Sequence, residues 1–305
     1  MYVGIDIGGT KIAGALVGAS GQVQHRQEVA TPVKKGGPAI LQSAVDLARL
    51  LKDKCGEPLE GIGIGSGGQI DALHGYVYSA TDVLPGYKGL QIKRTFESAL
   101  GVRTAVDNDV NVLALGELRF GAARRYLHGC VVFLALGTGV GGALLIGGKL
   151  HHGAHWSGGE FGHILLSLDP HARKDLGGAR GTLEAYCSGS GLVETYMELT
   201  GDTGNGINGA EVARRAAHGK DKAAVKAIRK TGEYLGYGLV TLANALDPHI
   251  IVVGGGLSEM KEQLLEPARK ILQKSALPGP SQCLVVPAEL GSEAAIIGAA
   301  ALVMP

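Results

Sequence analysis

Two stretches of the 305-residue chain share one grammar. YVGIDIGGTKIAGALV (2–17) is an apolar run, a glycine-threonine turn and a second apolar run, and VVFLALGTGVGGALLIGG (131–148) repeats that order about 130 residues later. Short apolar runs bounded by glycine are the pattern of buried strands, so each stretch predicts a strand, a tight turn and a strand. Helical periodicity and further strands follow each copy. After the first come QVQHRQEVATP (22–32), which extends the hairpin to a three-stranded meander, and a helix over Pro38–Lys54. The strands GIGIGSGG (61–68) and VRTAVDND (102–109) come next, then a helix opening in NVLALGELRFGAA (111–123). After the second come helical patterns at 182–199, 209–218 and 221–246, with Asn208 and Glu211 at capping-box spacing. The strand HIIVVGGG (249–256), a helix over Ser258–Ser275 and the small-residue helix GSEAAIIGAAALVM (291–304) close the chain. This recurrence predicts an α/β chain of two related halves with a cleft between them. The boundary is expected near 108–110, with the last helix returning to the first half: residues 1–108 plus 290–305, and residues 109–289.

Composition narrows the function classes. Lys and Arg total 29 against 28 for Asp and Glu, a net charge of +1, which gives no general pull toward nucleic acid or an anionic membrane. The 50 glycines follow no collagenous period and sit in small groups within apolar segments, as tight turns and close backbone approaches to a ligand require. Cys55, Cys130, Cys187 and Cys283 are scattered without CxxC spacing, and no signal-peptide pattern opens the chain, so a reduced, cytoplasmic protein is expected. Residues 130–148 carry no charge, but glycines and Thr138 divide them into two buried strands rather than one membrane span.

The turns carry the first chemistry. DIGGTK (6–11) is neither a P-loop nor a dinucleotide-binding turn, since a strand follows it rather than a helix. Gly8 and Gly9 can turn backbone N–H groups toward an anion, with Thr10 adding a hydroxyl, Lys11 a point charge and Asp6 a carboxylate able to hold Mg²⁺ through water. An ordinary type I′ hairpin would leave the same pattern. Gly137, Thr138 and Gly139 form a second such turn, and Gly254, Gly255 and Gly256 end a strand beside a helix start. Together these suit the two ends of a polyphosphate and an adenosine shelf, which favours a nucleotide donor over inorganic polyphosphate. In DNDVN (107–111), Asp109 can take a proton from a hydroxyl while Asn108 orients the same substrate. Asp107 or Asn108 would cap the helix and leave Asp109 free. Glu160 and His163 stand in a glycine-flanked loop and Glu184 in GTLEAY; together they suit a polyol, although each taken singly fits a solvated acid or a packed imidazole better. His151, His152, His155 and His163 suggest a metal, but structural zinc usually draws on more cysteine than Cys187 alone.

DIGGTK, LPGYKG (84–89), DNDVNVLALGE (107–117), LGTGVGG (136–142), GGEFGH (158–163), GTLEAYCSG (181–189), VVGGG (252–256) and the closing IIGAAAL occur in one order over nearly the whole chain. This set resembles the ROK family of sugar kinases and sugar-responsive repressors. The resemblance implies two actin-like (ribonuclease H-like) domains with a cleft between them, ATP and Mg²⁺ as cofactors, and a homodimer. It implies that the DIGGTK and LGTGVGG turns meet the phosphates and VVGGG the adenosine. It makes Asp109 the catalytic base and places Asn108, Glu160, His163 and Glu184 on the sugar hydroxyls. Three departures stand out. Where family members carry a CxCGxxGCxE zinc motif, this chain has DLGGARGTLE (175–184), with Asp175, Gly177 and Thr182 at cysteine positions, so no zinc site is expected. Ser66-Gly67-Gly68 replaces the usual Pro-Gly beside the sugar, which makes Gly67 and Gly68 candidate substrate contacts. The repressor members carry an N-terminal helix-turn-helix, which is not expected here because the sequence opens directly on the first strand. The expected activity is ATP-dependent phosphorylation of a hexose at its primary hydroxyl, glucose first, with mannose, fructose or an N-acetylhexosamine as alternatives. A non-catalytic sugar sensor and an assembly ATPase are the rivals from other classes.

Overall fold

The computed structural model describes residues 1–80, 83–202, 206–217 and 219–305. It divides into two compact units. The first comprises Met1–Leu127, Leu150–Gly158 and Glu289–Pro305, the second His128–Lys149 and Gly159–Ala288. In chain order the elements are β1 (Tyr2–Ile7), β2 (Lys11–Val17), β3 (Val23–Ala30), α1 (Gly37–Lys54), β4 (Gly61–Ser66), β5 (Gln69–Asp71), β6 (Tyr76–Ser79), α2 (Ile92–Leu100), β7 (Thr104–Asn108) and α3 (Asp109–Phe120). There follow β8 (Cys130–Leu136), β9 (Val140–Ile146), β10 (Lys149–Leu150), α4 (Leu183–Cys187), α5 (Gly189–Thr200), α6 (Gly209–Ala217), α7 (Lys222–Leu246), β11 (Ile250–Gly254), α8 (Glu262–Ser275), β12 (Leu284–Pro287) and α9 (Ala294–Ala301).

The repeated grammar becomes a repeated sheet. One five-stranded sheet runs β3-β2-β1-β4-β7 and the other β10-β9-β8-β11-β12, the same order when strands are numbered within each sheet. In both, the first two strands form an antiparallel hairpin and the last two are parallel additions. The parallel strands end together, which gathers the loops at their carboxyl ends, where open α/β sheets place ligands.

Side-chain alternation in the first unit explains its glycines. Val3, Ile5, Ile7, Ile62 and Ile64 face α1, packing with Ile40, Ala44 and Leu51. The opposite face of β1 and β4 carries glycine because α9 lies on it: a Cβ at Gly63 would run into the Ala299 carbonyl. In the second unit, Val132 and Leu134 of β8 and Ile251 and Val253 of β11 share a core with Ile228, Leu235 and Leu239 of α7 and Leu264 and Leu272 of α8.

Several elements differ from the sequence reading. The pattern at 182–199 is two helices, because the Ser188 hydroxyl accepts the Gly191 N–H and starts α5 afresh. The helix expected from Ser258 begins at Glu262, after a 3₁₀ turn and Lys261 at φ 47°. The helix expected over 209–218 ends at Ala217, and residue 218 lies outside the described residues. The chain first passes between units at Leu127–His128, beyond the 108–110 of the sequence reading, because α3 packs against α9 and stays with the first unit.

Candidate functional site

A cavity of about 1480 Å³ lies wholly within the second unit. The β8–β9 turn supplies Gly137 and Thr138 to its wall, α5 supplies Gly189 and Ser190, α6 its opening turn from Gly209, and the segment after β11 Gly256 and Leu257. Two of these glycines have no internal reason to be glycine. Neither Gly137 nor Gly256 has a left-handed φ, and a Cβ on either would meet no protein atom within 4 Å. A side chain there would project into open space, so the missing atoms clear room for a ligand. The α5 and α6 amino-terminal turns also open on this cavity, each capped by a side chain, Ser188 and Asn208. Asn208 Oδ1 accepts the Glu211 N–H at 2.9 Å, the bond its spacing predicts. These helix ends carry partial positive charge, which suits phosphate groups. The lining combines apolar Val193, Met197, Ile207, Leu257 and Met260 with polar Asn208, Arg214 and Gln263 and the acids Glu194 and Glu259, the mixture of apolar walls and few polar groups that small-molecule sites have. Of the predicted strand-end glycines, Gly256 alone borders the cavity. Gly254 packs on Phe133, and Gly255, at φ 83°, sits against the Leu136 backbone.

Glu160, His163 and Glu184 also belong to the second unit. Glu160 and His163 flank a 3₁₀ turn whose Gly162 lies flush on the Val140 carbonyl, and both side chains are exposed. Glu184 sits under the hairpin tip: its Oε2 accepts the Val140 N–H at 2.8 Å and its Oε1 the Leu176 N–H at 3.3 Å. A Cβ at Gly139 would strike this carboxylate. Glu184 thus shapes the β8–β9 turn while keeping further lone pairs for a hydroxyl. Asp175, buried, accepts the Thr182 hydroxyl at 3.0 Å and the Ala179 N–H at 2.8 Å, and faces His163 Nδ1 at 3.5 Å. One carboxylate, one hydroxyl and one imidazole are not a zinc donor set. Among the described residues no group of three or more His, Cys, Asp or Glu is arranged to hold a metal.

The first unit carries the acids. Asp6 lies one residue before the end of β1, between β2 and β4. Burial, reinforced by the nearby negative charge of Asp109 and opposed by Lys11, pushes its carboxyl up to about 6. The two carboxylates are therefore neighbours, and a cation beside Asp6 would relieve both. Mg²⁺, which takes one or two protein carboxylates together with phosphate oxygens, fits that donor set. Asn108 is the cap of α3: its Oδ1 accepts the Val110 and Asn111 N–H groups, and its Nδ2 donates to the Gly68 carbonyl at 2.9 Å. Asn108 is thus largely committed to positioning. Asp109 opens α3 half-buried, and its Oδ1 shares the Val110 N–H at 2.9 Å, a bond that the expectation of a free carboxylate lacked. At the β1–β2 turn, neither Gly8 nor Gly9 has a positive φ, which rules out type I′. Thr31 holds this turn, its hydroxyl donating to the Gly8 carbonyl and its N–H to that of Thr10. Lys11 lies in an exposed ion pair with Glu28 at 2.8 Å, weak enough to be exchanged for a phosphate. Gly67 and Gly68 follow Ser66, whose hydroxyl meets that of buried Tyr87 from LPGYKG at 2.9 Å.

Sequence reasoning missed three features here. The walls from α5 and α6 carry no ligand motif of their own. Asp107, read only as a possible cap, is buried and accepts from Asn108 N, Asn111 Nδ2 and His152 Nε2. His152 was weighed only as a metal ligand. Its pairing with Asp107 holds its pKa above the usual imidazole range.

The family model described as the ROK family matches residues 2–305. The chain belongs to the ROK family. A glucokinase of Streptomyces coelicolor is 33% identical over 99% of this chain and 97% of its own length. An N-acetylgalactosamine kinase of a Shewanella species is also 33% identical, over 87% of this chain and 84% of its own. Among solved structures, a ROK family glucokinase from Streptomyces griseus, in complex with glucose and AMPPNP, superposes with a TM-score of 0.80. It is 32% identical and covers 99% of this chain and 98% of its own. This ROK chain therefore has the actin-like fold of two α/β domains, and the duplicated sheets are its two copies.

Proposed function

We propose that this ROK protein transfers the γ-phosphoryl group of ATP to the primary, 6-hydroxyl of a hexose. Glucose is the first choice of acceptor, and an N-acetylhexosamine, mannose or fructose are the alternatives. The observation that carries the reading is the cavity of the second unit, bordered by Gly137 and Gly256, two glycines whose only evident role is to let a ligand approach. Kinases among its relatives act on both plain and acetamido hexoses, which supports a sugar kinase and leaves the acceptor to experiment.

In this reading Asp109 accepts the hydroxyl proton while the sugar oxygen bonds to the γ-phosphorus. The bond from phosphorus to the bridging oxygen breaks, and ADP leaves with that electron pair. Phosphoryl transfer needs little covalent help, so positioning and charge neutralisation supply most of the rate. Asn108 fixes the first turn of α3, and with it the carboxylate. Glu160, His163 and Glu184 are proposed to bind sugar hydroxyls, together with Gly67 and Gly68. Gly8, Gly9, Thr10, Lys11, Gly137, Thr138 and Gly139 are proposed to bind phosphates, and Gly254, Gly255 and Gly256 to border the adenosine. Asp6 is the residue that would hold Mg²⁺, which when bound neutralises charge on the transferring phosphate.

A coupled ADP-release assay across a panel of hexoses tests the proposal. A rate stimulated by one sugar is expected, whereas sugar binding without turnover marks a sensor and a sugar-independent rate an ATPase. Asp109→Asn should lower turnover by roughly 10²–10⁴-fold, as loss of a general base does, and near-normal turnover would remove Asp109 from that role. The homodimer and cytoplasmic setting implied by the family belong to the same proposal, and light scattering on the purified protein tests the first.

A further inference from the structure

The segment Leu150–Gly158 belongs to the first unit although the chain on both sides of it belongs to the second. Two side-chain bonds fasten it there. His152 Nε2 donates to Asp107 Oδ2 at 2.7 Å, and Gln69 Nε2 donates to Ser157 Oγ at 2.8 Å. A third bond joins the two elements so reached: Asn108 Nδ2 donates to the Gly68 carbonyl at 2.9 Å. Gly68 and Gln69 are adjacent, as are Asp107 and Asn108, so the three bonds and three chain segments close a ring. Asp109, the proposed base, is the next residue along.

We propose that this ring, locked by the Asp107–His152 pair, is the device that sets the catalytic carboxylate and the acceptor sugar in register, with His152 as a positioning residue. The proposal rests on Asp109 being the base. Asp107 is only 2% exposed, and all three of its partners hold it at the β7–α3 junction: Asn108 N and Asn111 Nδ2 on one oxygen, His152 on the other. A buried carboxylate meeting an imidazole in this way makes a charge-assisted bond, stronger and more directional than a neutral one. Removal of the imidazole leaves Asp107 Oδ2 without this partner in a buried site, so the carboxylate is held through one oxygen only and the first turn of α3 is fixed less firmly. The same loss releases one end of 150–158, so the Gln69 end holds Gly67 and Gly68 less firmly. Trp156 packs edge-on against His152, ring centroids 5.6 Å apart, and holds φ 59°, a strained conformation for a bulky residue. Such strain persists where the surroundings impose it, and here they are the ring.

Kinetics separate positioning from mere support, because no residue of the ring is among those that line the cavity of the second unit. Wild-type sugar-dependent turnover is measured first, beside Asp109→Asn. Absence of turnover, or an active Asp109→Asn, rejects the functional reading itself. Given an active wild type, His152→Ala is expected to raise the sugar KM and lower kcat by about tenfold or more each, as misplacement of reacting groups does, with the ATP KM within about twofold. His152→Gln, which keeps an N–H donor toward Asp107, should recover most of the loss. Emission from Trp156, the sole tryptophan, should shift in His152→Ala and return toward the wild-type spectrum in His152→Gln. Sugar KM and kcat within about twofold of wild type in folded His152→Ala, or equal losses for sugar and ATP, would overturn the proposal. If His152→Ala does not fold, Ser157→Ala decides, since it leaves the Asp107–His152 pair in place and removes the Gln69 bond together with the hydroxyl's longer bond to the His155 carbonyl at 3.2 Å. A sugar KM raised about threefold or more at constant ATP KM supports the ring, and an unchanged sugar KM overturns it.

Discussion

Gly137 shows how one missing side chain carries functional information. Its backbone would tolerate alanine, and no protein atom waits within 4 Å of the added carbon. Gly137→Ala should therefore leave stability unchanged or raise it by up to about 1 kcal/mol through the stiffer unfolded chain. The methyl enters the cavity, so ATP affinity should fall about tenfold or more, the size of an overpacking penalty. Calorimetric titration with AMPPNP checks this, and unaltered affinity would place the phosphates elsewhere. Asp6 makes the converse case, a residue kept at a cost. Its carboxyl titrates at about 6, above the ordinary 3.8, because it is buried near Asp109. A raised carboxyl pKa means that the folded chain holds the proton more tightly than the unfolded one. Stability from this group therefore falls as pH climbs from about 4 to about 6 and stays low above that. Asp6→Asn should then raise stability at pH 8 by on the order of 2–3 kcal/mol, with the gain fading below about pH 6 and gone near pH 4. Melting curves at several pH values test it, and a gain independent of pH would contradict it. Much of this was legible from sequence: Asp6, Asn108, Asp109 and the glycine turns were all marked by motif. Asp107 and His152 were not, because their partnership depends on a contact between residues far apart in the chain, which no local spacing encodes.

At the scale of elements, α3 is held at both ends by side chains acting on backbone. Asn108 caps its start, and Glu117 fastens its end. Glu117 is 1% exposed and accepts the N–H groups of Ala122, Glu289 and Leu290, so one carboxylate ties the helix to the returning chain ahead of α9. Glu117→Ala would strand those donors, at about 1–3 kcal/mol for each left buried and unpaired, for a total loss of about 3–5 kcal/mol. Chemical denaturation measures this, and a loss below about 1 kcal/mol would show that water or rearrangement satisfies the donors. Elements with strong periodicity, such as α1 and α7, and the glycine-bounded strands could be read directly. The β5–β6 hairpin, α2 and β12 could not: they are short, and their pairing partners rather than their composition decide their state. The break between α4 and α5 was hidden for a similar reason, since Ser188 acts as a cap only once its hydroxyl reaches Gly191.

For the molecule as a whole, the duplication leaves the two halves unequal in how they are closed. The second unit runs its five strands and the helices α4–α8 in one stretch apart from the 150–158 excursion, whereas the first borrows its last helix from the far end of the sequence. That helix covers the face of β1, β2 and β4 opposite α1, where Tyr2 of β1 and Ala13, Ala15 and Val17 of β2 pack with Ile296, Ala300 and Val303. Burial of Ile296, Ile297 and Val303 contributes about 1.5–3 kcal/mol each, a sum comparable with the whole stability of a typical domain. The same stretch supplies the backbone donors that satisfy Glu117. A chain ended at Ala288 should therefore fail in its first unit specifically. Trp156 lies in that unit, in the 150–158 segment, so its emission reports on the loss directly. The expected outcome is a solvent-exposed, unfolded-like tryptophan spectrum in the truncated protein. A native spectrum with an unshifted melting temperature would mean that the first unit closes without α9, and that the glycines of β1 and β4 are there for some other reason than its approach.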